Sequence, residues 1–204
     1  MTNSSSHAHP VDNEAGKLGM WLFLFTEFFL FGGLFLVYAV FRAKFSDGFH
    51  TGANDLNAMI GTINTVVLLV SSMTVAMAIT AIQKGSNQKA ILFLVATILL
   101  ALVFMINKYF EWAHKIELHL FPGSEALQTL ERGELLFFSL YYMMTGLHAL
   151  HVIIGLTLLI ICIFQIKAGN THKGQYLLLE NSGLYWHLVD LIWIFLFPLL
   201  YLLT

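Results

Sequence analysis

Five stretches of mostly apolar residues, near 17–43, 57–83, 88–114, 134–167 and 176–203, alternate with short polar breaks along the chain. Each exceeds the roughly 20 residues that carry a helix across about 30 Å of hydrocarbon. The bilayer core offers no water to backbone N–H and C=O groups, so a spanning segment either pairs them internally as a helix or closes into a barrel. The strict apolar/polar alternation of barrel strands is missing here. The expected fold is therefore all-α: a polytopic membrane protein, a bundle of five transmembrane helices. Composition agrees, with 58% hydrophobic and only 11% charged residues among 204, against about 25% charged in ordinary soluble domains. A net charge of −2 points to no nucleic-acid partner and no polybasic lipid patch.

Residues 1–16 are polar, include His7-Ala8-His9 and Pro10, and lack the basic n-region of a cleavable signal. They are expected to form a flexible tail ahead of an uncleaved membrane domain, 17–204. The first helix is bounded by Lys17 and by Arg42 and Lys44, which can snorkel to the interface. Glu27, about ten residues in, is near mid-membrane, where a carboxyl group is either protonated or paired with a donor. Residues 44–56, with Asp47-Gly48 and Gly52, read as a short exposed connection.

The second helix carries Asn57, Gly61, Asn64, Ser71 and Ala78 on one arc. Small and weakly polar residues let membrane helices approach closely, so the arc reads as a packing face. The tight polar turn Gln83–Lys89 makes the second and third helices antiparallel neighbours. Near its end the third helix brings Asn107, Lys108, Glu111 and His114. Glu111-Trp-Ala-His114 has the Glu-x-x-His spacing of di-iron bundles, but such sites need two motifs and more glutamates. A salt-bridge cluster at the interface is the better reading. The loop 115–133 is the longest connection and the expected docking or solvent-facing segment. Cys162, the single cysteine, lies in an apolar helix as a small buried hydrophobe.

The fourth helix presents His148, His151 and Gly155 at helical spacing, and the fifth presents Glu180, Gly183, His187 and Asp190 along one arc. An aspartate at the centre of a membrane helix costs roughly 2.5–3.5 kcal/mol on insertion scales, so Asp190 is expected to hold a packing partner. The two stripes are expected to face each other as a polar seam, with Glu27 as a further contributor. Three chemistries fit these residue types: a hydrogen-bonded seam, a bis-histidine haem or metal site, and a proton pathway. No line of acids runs from face to face, and nucleotide, nucleophile and zinc motifs are missing. Pro198 is expected to bend the last helix.

Thr145-Gly-Leu-His148-Ala-Leu-His151-Val-Ile-Ile-Gly155, followed by Tyr185-Trp-His187-Leu-Val-Asp190-Leu-Ile-Trp193, resembles subunit III of the haem–copper oxygen reductases. Thr26-Glu27-Phe28-Phe29, Ile63–Leu69, Glu111 and Glu180 match in the same order, so the resemblance covers nearly all of 17–204. It implies the short five-helix form of a non-catalytic subunit. The haems and copper then reside in partner subunits I and II, and the chain holds no cofactor beyond phospholipid. The resemblance further implies bracing of subunit I, contact with subunit II, small subunits or a respiratory supercomplex, and a part in oxygen access during aerobic electron transport. It places Glu27, Glu111, His148, His151, Glu180, His187 and Asp190 as signature residues without catalytic or metal-binding roles. Lys108 departs from the pattern, since many relatives carry an acid there; one turn from Glu111, it is able to pair with it.

The resemblance also implies a bacterial cytoplasmic membrane with the N-terminus inside and the C-terminus outside. The Lys/Arg balance of the loops does not choose an orientation. An accessory subunit of a nitric oxide reductase, and an independent membrane haem or metal protein, remain alternatives.

Overall fold

The structure, a computed structural model, describes residues 11–202. The elements are α1 (Val11–Lys44), α2 (Ser46–Asn54), α3 (Ala58–Gln83), α4 (Asn87–Glu117), α5 (Glu125–Thr129), α6 (Arg132–Lys167) and α7 (Leu177–Phe197). A π-helical turn, Pro198–Leu202, follows α7. The described residues contain no β-strand, and five helices are long and apolar enough to cross a membrane. The five expected spans are all present, with ends that differ by a few residues.

The larger difference is at the start. Residues 1–10 of the expected tail lie outside the described residues, whereas Val11–Gly16 already belong to α1. That extra turn and a half is held against the start of α7. Asn181 Nδ2 donates to the Gly16 carbonyl at 3.4 Å, and Lys17 Nζ is 3.0 Å from Glu180 Oε2.

Antiparallel α3 and α4 pack along their length, as the tight turn between them requires. Helix α7 lies against both α3 and α6, and α4 meets α6, so α3, α4, α6 and α7 form a ring. Helix α1 leans on the outside of α6 and α7. Half of the most apolar window of α7 is buried but only 11% of that of α1, which makes α7 the central helix and α1 the peripheral one.

Small residues set the close approaches. A Cβ on Gly155 would come within 2.8 Å of the Trp186 ring, so the glycine admits a fully buried indole between α6 and α7. The expected packing face of the second helix is in place. Asn57 caps α3, Gly61 lies under Phe197 and Tyr201, Asn64 accepts from Asn107 Nδ2 at 2.8 Å, and Ser71 accepts from Trp186 Nε1 at 3.1 Å.

The connection 44–56 corrects the sequence expectation. It is a helix, α2, with Gly48, Phe49, Gly52 and Ala53 buried. Gly48 and Gly52 serve packing rather than a turn: a Cβ on Gly48 would lie 2.6 Å from Gly133 Cα, and one on Gly52 would lie 2.4 Å from Phe137 Cδ1. Lys115 Nζ donates to the Asp55 carbonyl at 2.6 Å, placing a cation at the C-terminal end of α2 where the helix dipole favours one. In the loop 115–133, Ser124 accepts from Leu127 N at 3.2 Å to cap α5, and Leu127 is fully buried. Part of this connection is therefore packed on the bundle rather than free in solvent.

Candidate functional site

Most of the candidate side chains inside the bundle gather at three places rather than in one seam, apart from the Asn64–Asn107 and Thr74–Thr97 pairs between α3 and α4. The first joins α4, α6 and the turn after α7. Lys108 Nζ donates to Glu111 Oε1 at 3.0 Å, to Tyr141 Oη at 3.1 Å and to Tyr201 Oη at 2.9 Å, which uses all three ammonium protons. Both tyrosine hydroxyls donate onward to the same Glu111 oxygen, Tyr201 at 2.5 Å. The ammonium also sits 5.1–5.6 Å from the ring centroids of Tyr141, Trp193 and Tyr201. Side chains of Lys108 and Glu111 are only 6% and 5% exposed, so the charges are tolerated through mutual pairing and complete donor use. The expected one-turn pairing is present. Glu111 turns inward, however, and His114 remains exposed without joining it.

The second group ties α1 to α6. His151 Nε2 is 2.8 Å from Glu27 Oε2, and His151 Nδ1 donates to the Leu147 carbonyl at 2.8 Å. Because a carbonyl only accepts, Nδ1 carries hydrogen, and a single further proton lies between Nε2 and the carboxyl group. Whichever partner holds that proton, the pair is net neutral, the condition for a carboxyl group at mid-membrane. Glu27→Leu would leave Nε2 buried and unpaired, costing about 1–3 kcal/mol, whereas Glu27→Gln keeps a donor. Thermal unfolding in mild detergent is expected to show a lower midpoint for Glu27→Leu than for Glu27→Gln.

The third group joins α3 and α7, where Ser72 Oγ lies 2.6 Å from His187 Nδ1. Asp190, 3% exposed, sits beside the same Ser72, but among the described residues neither carboxyl oxygen has a hydrogen bond of ordinary geometry. Both ring nitrogens of His148 are likewise without a hydrogen-bond partner within the described residues. Its imidazole packs between Phe104, at 5.6 Å, and Trp193, at 5.3 Å between ring centroids.

The expected seam of His148 and His151 against His187 and Asp190 is therefore not formed by hydrogen bonds. A three-residue step turns a helix by about 300°. The resulting offset of about 60° lets His148 lie inside the ring while His151 faces α1, whereas His187 and Asp190, spaced alike, both turn towards α3. Glu180 belongs to none of these groups. It pairs with Lys17 near the membrane surface, where such a pair contributes about 0–1 kcal/mol. Since neither Asp190 oxygen has a hydrogen bond of ordinary geometry among the described residues, Asp190→Asn is expected to leave unfolding free energy within about 1 kcal/mol of the parent, read by thermal or denaturant unfolding.

Sequence reasoning missed Tyr141, Tyr201, Ser72 and the two tryptophans. Trp186 and Trp193 reach α3 through Nε1, with Trp193 donating to Thr65 Oγ1 at 3.1 Å. A usable signal existed, since a tyrosine or tryptophan deep in an apolar helix needs a partner for its polar tip. Among the described residues no three His, Cys, Asp or Glu side chains are grouped so as to hold a metal ion. The arrangement ties helices together through paired charges and hydroxyls.

The whole chain, residues 1–204, matches the family described as cytochrome c oxidase subunit III. It is 32% identical over 202 residues to a cytochrome c oxidase subunit 3 of Thermostichus vulcanus, covering 98% of this chain and 91% of that protein. A probable quinol oxidase subunit 3 of Staphylococcus saprophyticus is 29% identical over 195 residues, covering 94% and 90%. A heme-copper oxidase subunit I+III of Aeropyrum pernix is 30% identical over 202 residues, covering 95% of this chain and 23% of that longer protein. The five apolar helices and the full-length match make this an integral membrane protein of the cytochrome c oxidase subunit III family.

Proposed function

We propose that this chain is the non-catalytic third subunit of a respiratory haem–copper terminal oxidase, bracing the subunit that holds the haems and copper. The observation that carries the oxidase reading is the family match over the full length. Support for bracing comes from α1, an apolar helix largely unburied within its own chain, whose free faces suit a neighbouring subunit and lipid. The relative named heme-copper oxidase subunit I+III supports proximity of the two. We place the chain in a bacterial cytoplasmic membrane with its N-terminus inside, in contact with subunits I and II and with phospholipid. Aid to oxygen access belongs to the same reading. An apolar groove of about 130 Å³ between α1 and α7, lined by Phe28, Phe31, Phe35 and Ile192, suits an apolar solute.

Affinity purification of the tagged chain in mild detergent tests this reading. A haem–copper subunit that reduces oxygen is expected to co-purify. Recovery of a nitric oxide reductase core instead, or of no haem–copper subunit, would overturn it.

A further inference from the structure

The carboxyl groups of the spans differ in what they face. Glu111 meets the Lys108 ammonium, Glu27 meets His151 and Glu180 meets Lys17. Asp190 is buried with both oxygens closed to solvent, and among the described residues no Lys, Arg or His side chain is bonded to either.

The elements packed around α7 account for this. Helix α3, on the Asp190 side, has no Asp, Glu, Lys, Arg or His between Ala58 and Gln83. Helix α6 brings His148, whose ring is held between Phe104 and Trp193, and His151, which turns to Glu27. Lys17 of α1 pairs with Glu180, about 15 Å along α7 from Asp190. Lys108 of α4 spends its three protons on Glu111, Tyr141 and Tyr201. A carboxylate that gives up its hydration without gaining a cation or a donor is disfavoured against the neutral acid.

The polar group beside Asp190 is Ser72, whose Oγ lies 2.6 Å from His187 Nδ1. A hydroxyl carries one proton, so the direction of donation is shared by all three residues. With Asp190 neutral and its O–H turned to Ser72, Ser72 donates to Nδ1 and the imidazole keeps its hydrogen on Nε2. With Asp190 ionised, Ser72 donates to the carboxylate and Nδ1 must carry hydrogen. Moving the acid's proton onto His187 would leave two charges in the bundle with a serine between them, where the neutral arrangement has none.

We propose that Asp190 is a proton-binding site, protonated at neutral pH, and heads an uncharged chain from Asp190 through Ser72 to His187 Nδ1 that links α7 to α3 within the membrane. The inference rests on burial and connectivity, and it holds whichever subunits accompany the chain.

Infrared spectroscopy of the intact purified complex at neutral pH, prepared with aspartate isotopically labelled at the side-chain carboxyl carbon, tests it. A carbonyl band of a protonated carboxyl group is expected to move on labelling and to be lost in Asp190→Asn. Ser72→Ala takes away the acceptor and is expected to shift that band to higher wavenumber without abolishing it. Nitrogen NMR of labelled histidine is expected to show His187 with a bare Nδ1 and a protonated Nε2. The tautomer is read on the unsubstituted protein, so the test survives a variant that fails to assemble. Absence of a labelled band that Asp190→Asn removes, a band unmoved by Ser72→Ala, or hydrogen on Nδ1 of His187 would overturn the proposal.

Discussion

Lys108→Met is expected to lose about 3–5 kcal/mol of stability, because it strands the carboxylate of Glu111 in the bundle without its cation. The ammonium supplies one of three donors to Glu111 Oε1 and holds both tyrosine hydroxyls, so its removal unpicks the joint between α4, α6 and the turn after α7. The double variant Lys108→Met with Glu111→Leu removes both charges and leaves Tyr141 and Tyr201 to bond each other. It is expected to recover most of the loss, since an apolar replacement of a whole buried pair is often near neutral. Yield of monodisperse protein in mild detergent and the midpoint of thermal unfolding read both effects. A single variant as stable as the parent would contradict a charged pair at this joint.

Gly48→Val is expected to prevent normal packing of α2 on α6. An added Cβ would meet Gly133 Cα at 2.6 Å, Gly133 C at 2.7 Å and Glu134 N at 2.8 Å. These are backbone atoms, with no flexible side chain to swing aside, and the reciprocal Cβ on Gly133 would come within 2.9 Å of Gly48 Cα. Overpacking of this kind costs about 1–3 kcal/mol or more when the backbone has to shift. Gly19→Ala is the matched control. Nothing lies within 4 Å of a Cβ there, so the change is expected to be neutral or to stabilise α1 by up to about 1 kcal/mol. If the two variants accumulate and unfold alike, the close contact between α2 and α6 is wrong.

These two sites differ in how readable they were. Lys108 and Glu111 are three residues apart, so helical spacing alone brings them onto one face. Their hydroxyl partners lie 33 and 93 residues from Lys108, and nothing local announces them. Gly48 and Gly52 were misread because turn chemistry and close packing call for the same residue. Choosing between them needs Gly133 and Phe137, which lie on another helix. The five spans were legible because length and hydropathy are local properties of the chain. The pairing of polar faces was not: spacing gives the direction of a side chain around its own helix, whereas the neighbour in that direction depends on how α1 and α3 are arranged around α6 and α7. Glu27 and His151 did meet. His187 turned to Ser72, and among the described residues His148 and Asp190 met no hydrogen-bond partner of ordinary geometry.

Under the proposed function, this chain supports a haem–copper centre that another subunit carries. The most direct measurement is to dissociate the chain from the purified complex and record the visible spectrum and metal content of both fractions. All haem and copper are expected with the remaining subunits, and neither a Soret band nor stoichiometric metal in the separated chain. Haem or metal at one equivalent per separated chain would contradict it.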